Sequence, residues 1–176
     1  AQKFGAVVSK SALKSDESVL RKAIGSAATG EAYGGKYTKL GDIARNTIIV
    51  PEAKIPEVMD ELTSVIRPET PPKFAKGQKG FGWFGANFKV NTPEGRVAEI
   101  QVTTPEMYFA KETEPIVREA IGDEYFDYLK TFVGEGGKGH AFYEQGRELV
   151  KGSPKRLGIE KESRTYYKPF VEASKE

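Results

Sequence analysis

Three observations predict an α+β fold, a mixed β-sheet with helices packed on it. Segments of helical and of strand periodicity succeed one another without strict alternation. Two short apolar runs flank a turn of hairpin chemistry near the middle of the chain. A series of helical stretches then follows with no strand among them.

Each element follows from local chemistry. Ser15 to Ala28 reads as a helix, capped by Ser15 or Asp16, with Val19, Leu20, Ala23, Ile24 and Ala27 at helical spacing. Gly30 to Gly41, interrupted by Gly34 and Gly35, reads as a loop carrying Lys36 and Lys39. Asn46 to Val50 is β-branched and apolar and stops at Pro51, which predicts a buried strand. Pro56 to Ile66 reads as a helix with Pro at its start and Val58, Met59, Leu62, Val65 and Ile66 on its core face. Arg67 to Gly82, rich in Pro, Gly and Lys, reads as one long loop. Phe84 to Val90 and Arg96 to Val102 predict an antiparallel hairpin around Asn91-Thr92-Pro93-Glu94-Gly95. Helices are predicted over Pro105–Thr113, Pro115–Ile121, Asp123–Val133 and His140–Val150, with a glycine-rich break at Gly134 to Gly139. Residues 151–176 read as a polar, weakly patterned basic tail, with six basic residues against two acidic between Lys151 and Lys168.

Composition limits the chemistry. The 176 residues suit one domain, and 38% hydrophobic with 30% charged residues is a globular balance. No apolar run is long enough for a membrane span. There is no cysteine, which excludes disulfides, thiolate metal sites and cysteine nucleophiles, and there is a single histidine, His140. Chemistry therefore falls to carboxylates, Lys, Arg, hydroxyls and backbone amides. The net charge of +2 is unevenly spread, and the basic end suits either a polyanion or plain solvation. The chain begins at Ala1, not Met, which suits a piece of a longer protein.

Three features carry candidate chemistry. Asp42, in Gly41-Asp42-Ile43-Ala44-Arg45, precedes the first predicted strand; it is either a turn residue or a carboxylate at a sheet rim. Glu99-Ile100-Gln101-Val102 alternates in a strand, so Glu99 and Gln101 share a face; Glu99 there requires solvent or a cation. Lys79-Gly80-Phe81-Gly82-Trp83-Phe84-Gly85-Ala86-Asn87 is either a glycine-rich turn with Trp83 in the core or a loop whose indole stacks a purine, with Lys73, Lys76 and Lys79 near phosphates. The Gly-Lys-Ser/Thr arrangement of a Walker loop is absent. Two carboxylates on adjacent strands suit one Mg²⁺ and phosphoryl or pyrophosphoryl transfer.

This set, in this order, resembles the synthetase domain of the RelA/SpoT family, whose fold is nucleotidyltransferase-like. Asp42-Ile43-Ala44-Arg45 resembles the family's strand-start Asp motif, and Glu99-Ile100-Gln101-Val102-Thr103-Thr104 its acidic strand motif. Met107 and Glu112 resemble the helix that follows. Lys79 and Gly82 match the family's Lys-x-x-Gly-Tyr-x-x-x-His segment; Trp83 stands at its Tyr and Asn87 at its His. The resemblance covers roughly Gly30 to Val150.

The resemblance implies transfer of the β,γ-pyrophosphate of ATP to the ribose 3′-hydroxyl of a purine nucleotide, adenosine or guanosine, with Mg²⁺. Carried over by position, Asp42 and Glu99 bind the metal and Glu99 activates the acceptor hydroxyl. Trp83 stacks the acceptor base and Lys79 contacts acceptor phosphates; Lys36 and Lys39 contact the phosphates of ATP, with Arg21 a looser candidate there; Asn87, Gln101 and Arg45 are further substrate-binding residues. Trp83 for Tyr, Asn87 for His, and Thr47 where the family has its usual Arg bear on base specificity. These residues do not include the family's hydrolase domain, which implies synthesis alone. Small members act as toxins in the bacterial cytoplasm, some delivered as effectors and held by a cognate immunity or antitoxin protein, and some modify the 3′ end of tRNA. His140 opens a segment resembling one in the family and is expected to start or pack a helix. Tyr166 and Tyr167 in the basic tail are the candidates for RNA contact.

Overall fold

A computed structural model describes residues 5–10, 19, 44–66, 68, 71–93, 95 and 97–175. Apart from Val19, which is helical, the predicted helix over 15–28 lies outside the described residues, as does the loop over 30–41. So do Arg21, Lys36, Lys39 and Asp42.

The described residues form a five-stranded mixed sheet in the order β1-β2-β5-β4-β3, with helices packed on it. Its strands are β1 (Val7–Lys10), β2 (Arg45–Ile49), β3 (Lys73–Lys76), β4 (Phe84–Asn91) and β5 (Val97–Thr103). The helices are α1 (Ile55–Ile66), α2 (Pro105–Lys111), α3 (Glu114–Ile121), α4 (Asp123–Val133), α5 (Gly139–Arg147) and α6 (Pro154–Ala173). The expected hairpin is present, with β4 antiparallel to β5. β2 pairs with β5 in parallel, so the chain crosses over through α1, β3 and β4 between them.

Two of the expected loops are structured. The Arg67–Gly82 segment contains β3, Lys-Phe-Ala-Lys, which pairs antiparallel with β4 at the sheet edge. A four-residue strand with lysine at both ends protects an edge from further pairing, and the same lysines hide it from a pattern search. The tail is also corrected: α6 runs for 20 residues. Ser153 caps it, its Oγ accepting from Arg156 N at 3.4 Å, and Pro154 occupies the first turn, where its missing donor costs nothing. Ser163, Tyr167 and Phe170 are buried along one stripe. Tyr167 is 2% exposed and Tyr166 is half-buried, its hydroxyl donating to Ala110 O at 2.8 Å, so neither is a free tail residue for RNA. Gly158 and Pro169 within the helix, and the charged residues around the stripe, explain why the period is weak.

The core joins the sheet to helices along the chain, from α1 to the final described helix α6. Ala86, Phe88 and Val102 of the central strands are fully buried, with Ile55 and Val58 of α1, Met107 to Ala110 of α2, and Phe170 of α6 in the same cluster. Thr104 caps α2, its Oγ1 accepting from Met107 N at 3.3 Å and lying 2.6 Å from Ser174 Oγ just past α6. The first turn of α2 is therefore tied to the last turn of the chain's final helix.

Candidate active site

Register places the candidate residues on one face of the sheet. Ser9, Thr47, Gln101, Asn87 and Lys73 are successive cross-strand partners over all five strands, and cross-strand partners share a face. Arg45, Glu99 and Lys89 form the next row, two residues away along each strand and on that same face. Helix α2 crosses this face: Tyr108 bonds Ser9 Oγ through its hydroxyl, and Lys111 Nζ donates to Gln101 Oε1 at 2.9 Å.

Glu99 has the cation its position in a strand requires. Arg45 Nε lies 2.9 Å from Glu99 Oε2, an ion pair by distance without the alignment of a hydrogen bond. The Glu99 side chain is 17% exposed, mostly covered but not sealed from solvent. Glu99 N also donates to Ala44 O at 3.0 Å, which sets β5 beside the residue that leads into β2.

Polar atoms with no partner cluster beside it. Thr47 Oγ1 and Asn87 Oδ1, either side of Gln101 in the row, are buried and make no hydrogen bond among the described residues. Trp83 Nε1 is in the same condition. Buried polar groups in native structures are nearly always satisfied, so the two orphans flanking Gln101 are what a ligand with complementary groups would complete.

Trp83 is half-buried and not sealed in the core. A Cβ on Gly85 would lie 2.7 Å from the indole Cη2 and Cζ2 and 2.6 Å from Val102 O, so the ring lies over Gly85 where only glycine leaves room. The preceding turn is fastened to α6: Ser163 Oγ donates to Phe81 O at 2.7 Å and Arg164 Nη1 to Gly80 O at 2.7 Å. Gly82 approaches that helix so closely that a Cβ would meet the Arg164 Cα at 2.9 Å. Lys79 stands exposed on this turn.

The structure thus brings together Arg45, Glu99, Gln101 and Asn87 on one face, with Trp83 over the adjoining Gly85. It adds Lys111 and Glu112, 2.7 Å apart, which no catalytic reading of the sequence had included. His140, at the start of α5, is half-exposed, with Nε2 3.8 Å from Glu144 Oε1. Burial foremost pushes its pKa down, against Glu112 and Glu144, which raise it, and with Lys111 and Arg45, which lower it further. It therefore stands in the field of this cluster and is not packed away in the core. Only its i,i+4 relation to Glu144 was legible locally; its nearness to Lys111 and Arg45 required the fold.

Among the described residues, no three acidic or histidine side chains gather in a metal-binding group. Glu99 nonetheless suits Mg²⁺, which is commonly held by one or two carboxylates together with substrate phosphates.

No protein-family model matches the chain. The chain is 37% identical over 168 residues to the (p)ppApp synthetase toxin Tas1 of Pseudomonas aeruginosa (strain UCBPP-PA14). That match covers 95% of this chain and 36% of the relative, so the chain spans about a third of the length of its curated relative. It is also similar to Tas1 in a crystal structure of the complex between the Type VI effector Tas1 and its immunity protein, with a TM-score of 0.79 and 36% identity, covering 97% of this chain and 84% of that one. With this likeness covering 97% of this chain and 84% of the crystallised one, and with the Glu99-Ile100-Gln101 strand in the candidate site, the chain belongs to the RelA/SpoT-type synthetase family, alongside Tas1.

Proposed function

We propose that this chain transfers the β,γ-pyrophosphate of ATP to the ribose 3′-hydroxyl of an adenosine nucleotide, releasing AMP. The observation that carries the reading is Glu99, paired with Arg45 on the same face of the sheet as Gln101 and Asn87. In the reaction the 3′-oxygen bonds to the β-phosphorus, the bridge between the α and β phosphates breaks, and the hydroxyl proton passes to Glu99. A carboxylate with one oxygen paired to Arg45 has its second oxygen to accept that proton. Arg45 opposes the charge of the phosphates, Trp83 offers a ring face to the acceptor base, and Lys79 with Asn87 and Gln101 serves the acceptor's polar groups. Bound Mg²⁺, held by Glu99 and Asp42, would neutralise phosphate oxygens as charge shifts to the leaving group.

The adenosine acceptor is supported by the relative's description as a (p)ppApp synthetase. The same relatives support an effector role in a target cell, with an immunity protein as partner. No helix among the described residues is long and apolar enough to cross a membrane. The test is product analysis with ATP, Mg²⁺ and each of ADP, ATP, GDP, GTP and tRNA. AMP with 3′-pyrophosphorylated adenosine nucleotide is the expected result. Label on tRNA alone would move the acceptor to RNA, and no AMP with any acceptor would overturn the reading. Glu99→Ala and Asp42→Ala should each abolish AMP release and leave the circular dichroism spectrum unchanged.

A further inference from the structure

Lysine is almost never fully buried, yet the Lys111 side chain is only 11% exposed. It stands at the end of α2, where the four residues before it, Met107 to Ala110, are packed into the core. Its Nζ donates to Gln101 Oε1 at 2.9 Å and lies 2.7 Å from Glu112 Oε1. Burial pushes its pKa down, with Glu112 the largest opposing influence. Replacing a buried ion pair by apolar groups is often neutral or stabilising, so packing gives no reason for an ammonium at this position.

We propose that Lys111 is a positioning residue for pyrophosphate transfer, which holds the Gln101 amide with its oxygen inward and presents its Nε2 N–H groups to substrate beside Glu99. A glutamine amide has two orientations that exchange an acceptor for two donors. An ammonium donates only, so it accepts one of them. Gln101 is only 7% exposed, and neither row neighbour takes up its remaining donors: Thr47 Oγ1 and Asn87 Oδ1 both lack hydrogen bonds among the described residues. The N–H groups are left for an oxygen of the substrate, a phosphate or a ribose hydroxyl, two residues along β5 from Glu99. Glu112 keeps the ammonium paired while it does so.

The inference rests on the pyrophosphate-transfer reading, and its test separates the two. AMP release is measured for the intact chain, for Lys111→Met, for Gln101→Leu and for the double variant, with kcat, KM and Tm. Lys111→Met should lower kcat by about 10- to 100-fold, the weight of one charge-assisted bond, and should also lower Tm, because Glu112 loses its cation; Lys111→Met with Glu112→Leu should recover the Tm and not the kcat. Gln101→Leu should lose as much, and its double variant with Lys111→Met no more than the worse single one, because the two act as a unit. Losses that multiply, or a Lys111→Met kcat within about twofold of the parent, overturn the proposal. Should Lys111→Met not fold, Gln101→Glu serves: it keeps a partner for Lys111 but has no N–H to offer, so retained turnover overturns the claim. A parent chain that releases no AMP refutes the reaction, not the orientation. The Gln101 side-chain amide resonances then decide: well dispersed in the parent and collapsed toward free glutamine in Lys111→Met if the claim holds, identical in both if it fails.

Discussion

Arg45 and Glu99 are register partners on parallel strands, with Nε 2.9 Å from Oε2. The pair explains how a glutamate sits in a mostly covered strand. Arg45→Met leaves the carboxylate without its cation and should cost about 2 kcal/mol of stability, read as a lower Tm. Arg45→Met combined with Glu99→Leu should recover most of that loss and none of the turnover. Recovered stability with lost AMP release separates the pair's structural part from its chemical part.

Residues 152–176 are needed for the fold. Tyr167 and Phe170 are almost wholly buried, and each such side chain contributes about 1.5–3 kcal/mol. Losing them, together with the cover that α6 gives α2 and α5, removes a large part of a domain stability of roughly 5–15 kcal/mol. A chain ending at Lys151 should lack a cooperative thermal transition. A sharp transition near the parent Tm would return this segment to the status of a tail.

Ser163 fastens the turn that bears Lys79. Ser163→Ala removes the donor to the Phe81 carbonyl, at a cost of about 1–2 kcal/mol. If that turn serves the acceptor, KM for the acceptor rises by several-fold while KM for ATP holds. Steady-state kinetics with each nucleotide varied in turn measures both.

Gly85→Ala places a methyl against the Val102 carbonyl and the Trp83 ring, at a backbone φ of +148°. The indole has to leave its seat, at about 1–3 kcal/mol. Trp83 is the single tryptophan, so its fluorescence should shift red and acceptor binding should weaken with it. An unshifted spectrum at reduced Tm would place the strain in the strand alone.

His140 makes stability depend on pH. Its pKa is lowered in the fold, so between the unfolded value of about 6.5 and the folded one the unfolded chain binds more protons. This contribution is intact above about pH 6.5 and is lost as the pH falls through the folded value. His140→Gln should flatten the fall in Tm between pH 7 and 5. An unchanged slope would assign the fall to carboxylates.

Much of the site was legible locally. The alternation of Glu99, Ile100, Gln101 and Val102 put both polar side chains on one face, and the turn before Val97 implied the hairpin that carries them. α1 and α4 begin and end within a residue of the ranges their apolar spacing predicts. What escaped was structure whose stabilisation comes from elsewhere in the chain. Val7–Lys10 and Lys73–Lys76 are each four residues long and exist because β2 and β4 offer them hydrogen bonds. α6 has a weak period because its buried stripe is interrupted by charge, Gly158 and Pro169, and tertiary packing compensates for the poor propensity.

The sequence by itself determined the α+β class, the hairpin and the residue types available for chemistry, because side-chain alternation and turn preference act over a few neighbouring residues. Only the tertiary structure decided that Arg45 is the cation of Glu99, that Lys111 grips Gln101, and that the final helix holds the Trp83 turn. Those pairings join residues from 10 to 82 positions apart, and their partners are chosen by strand register and helix docking, which no local pattern encodes.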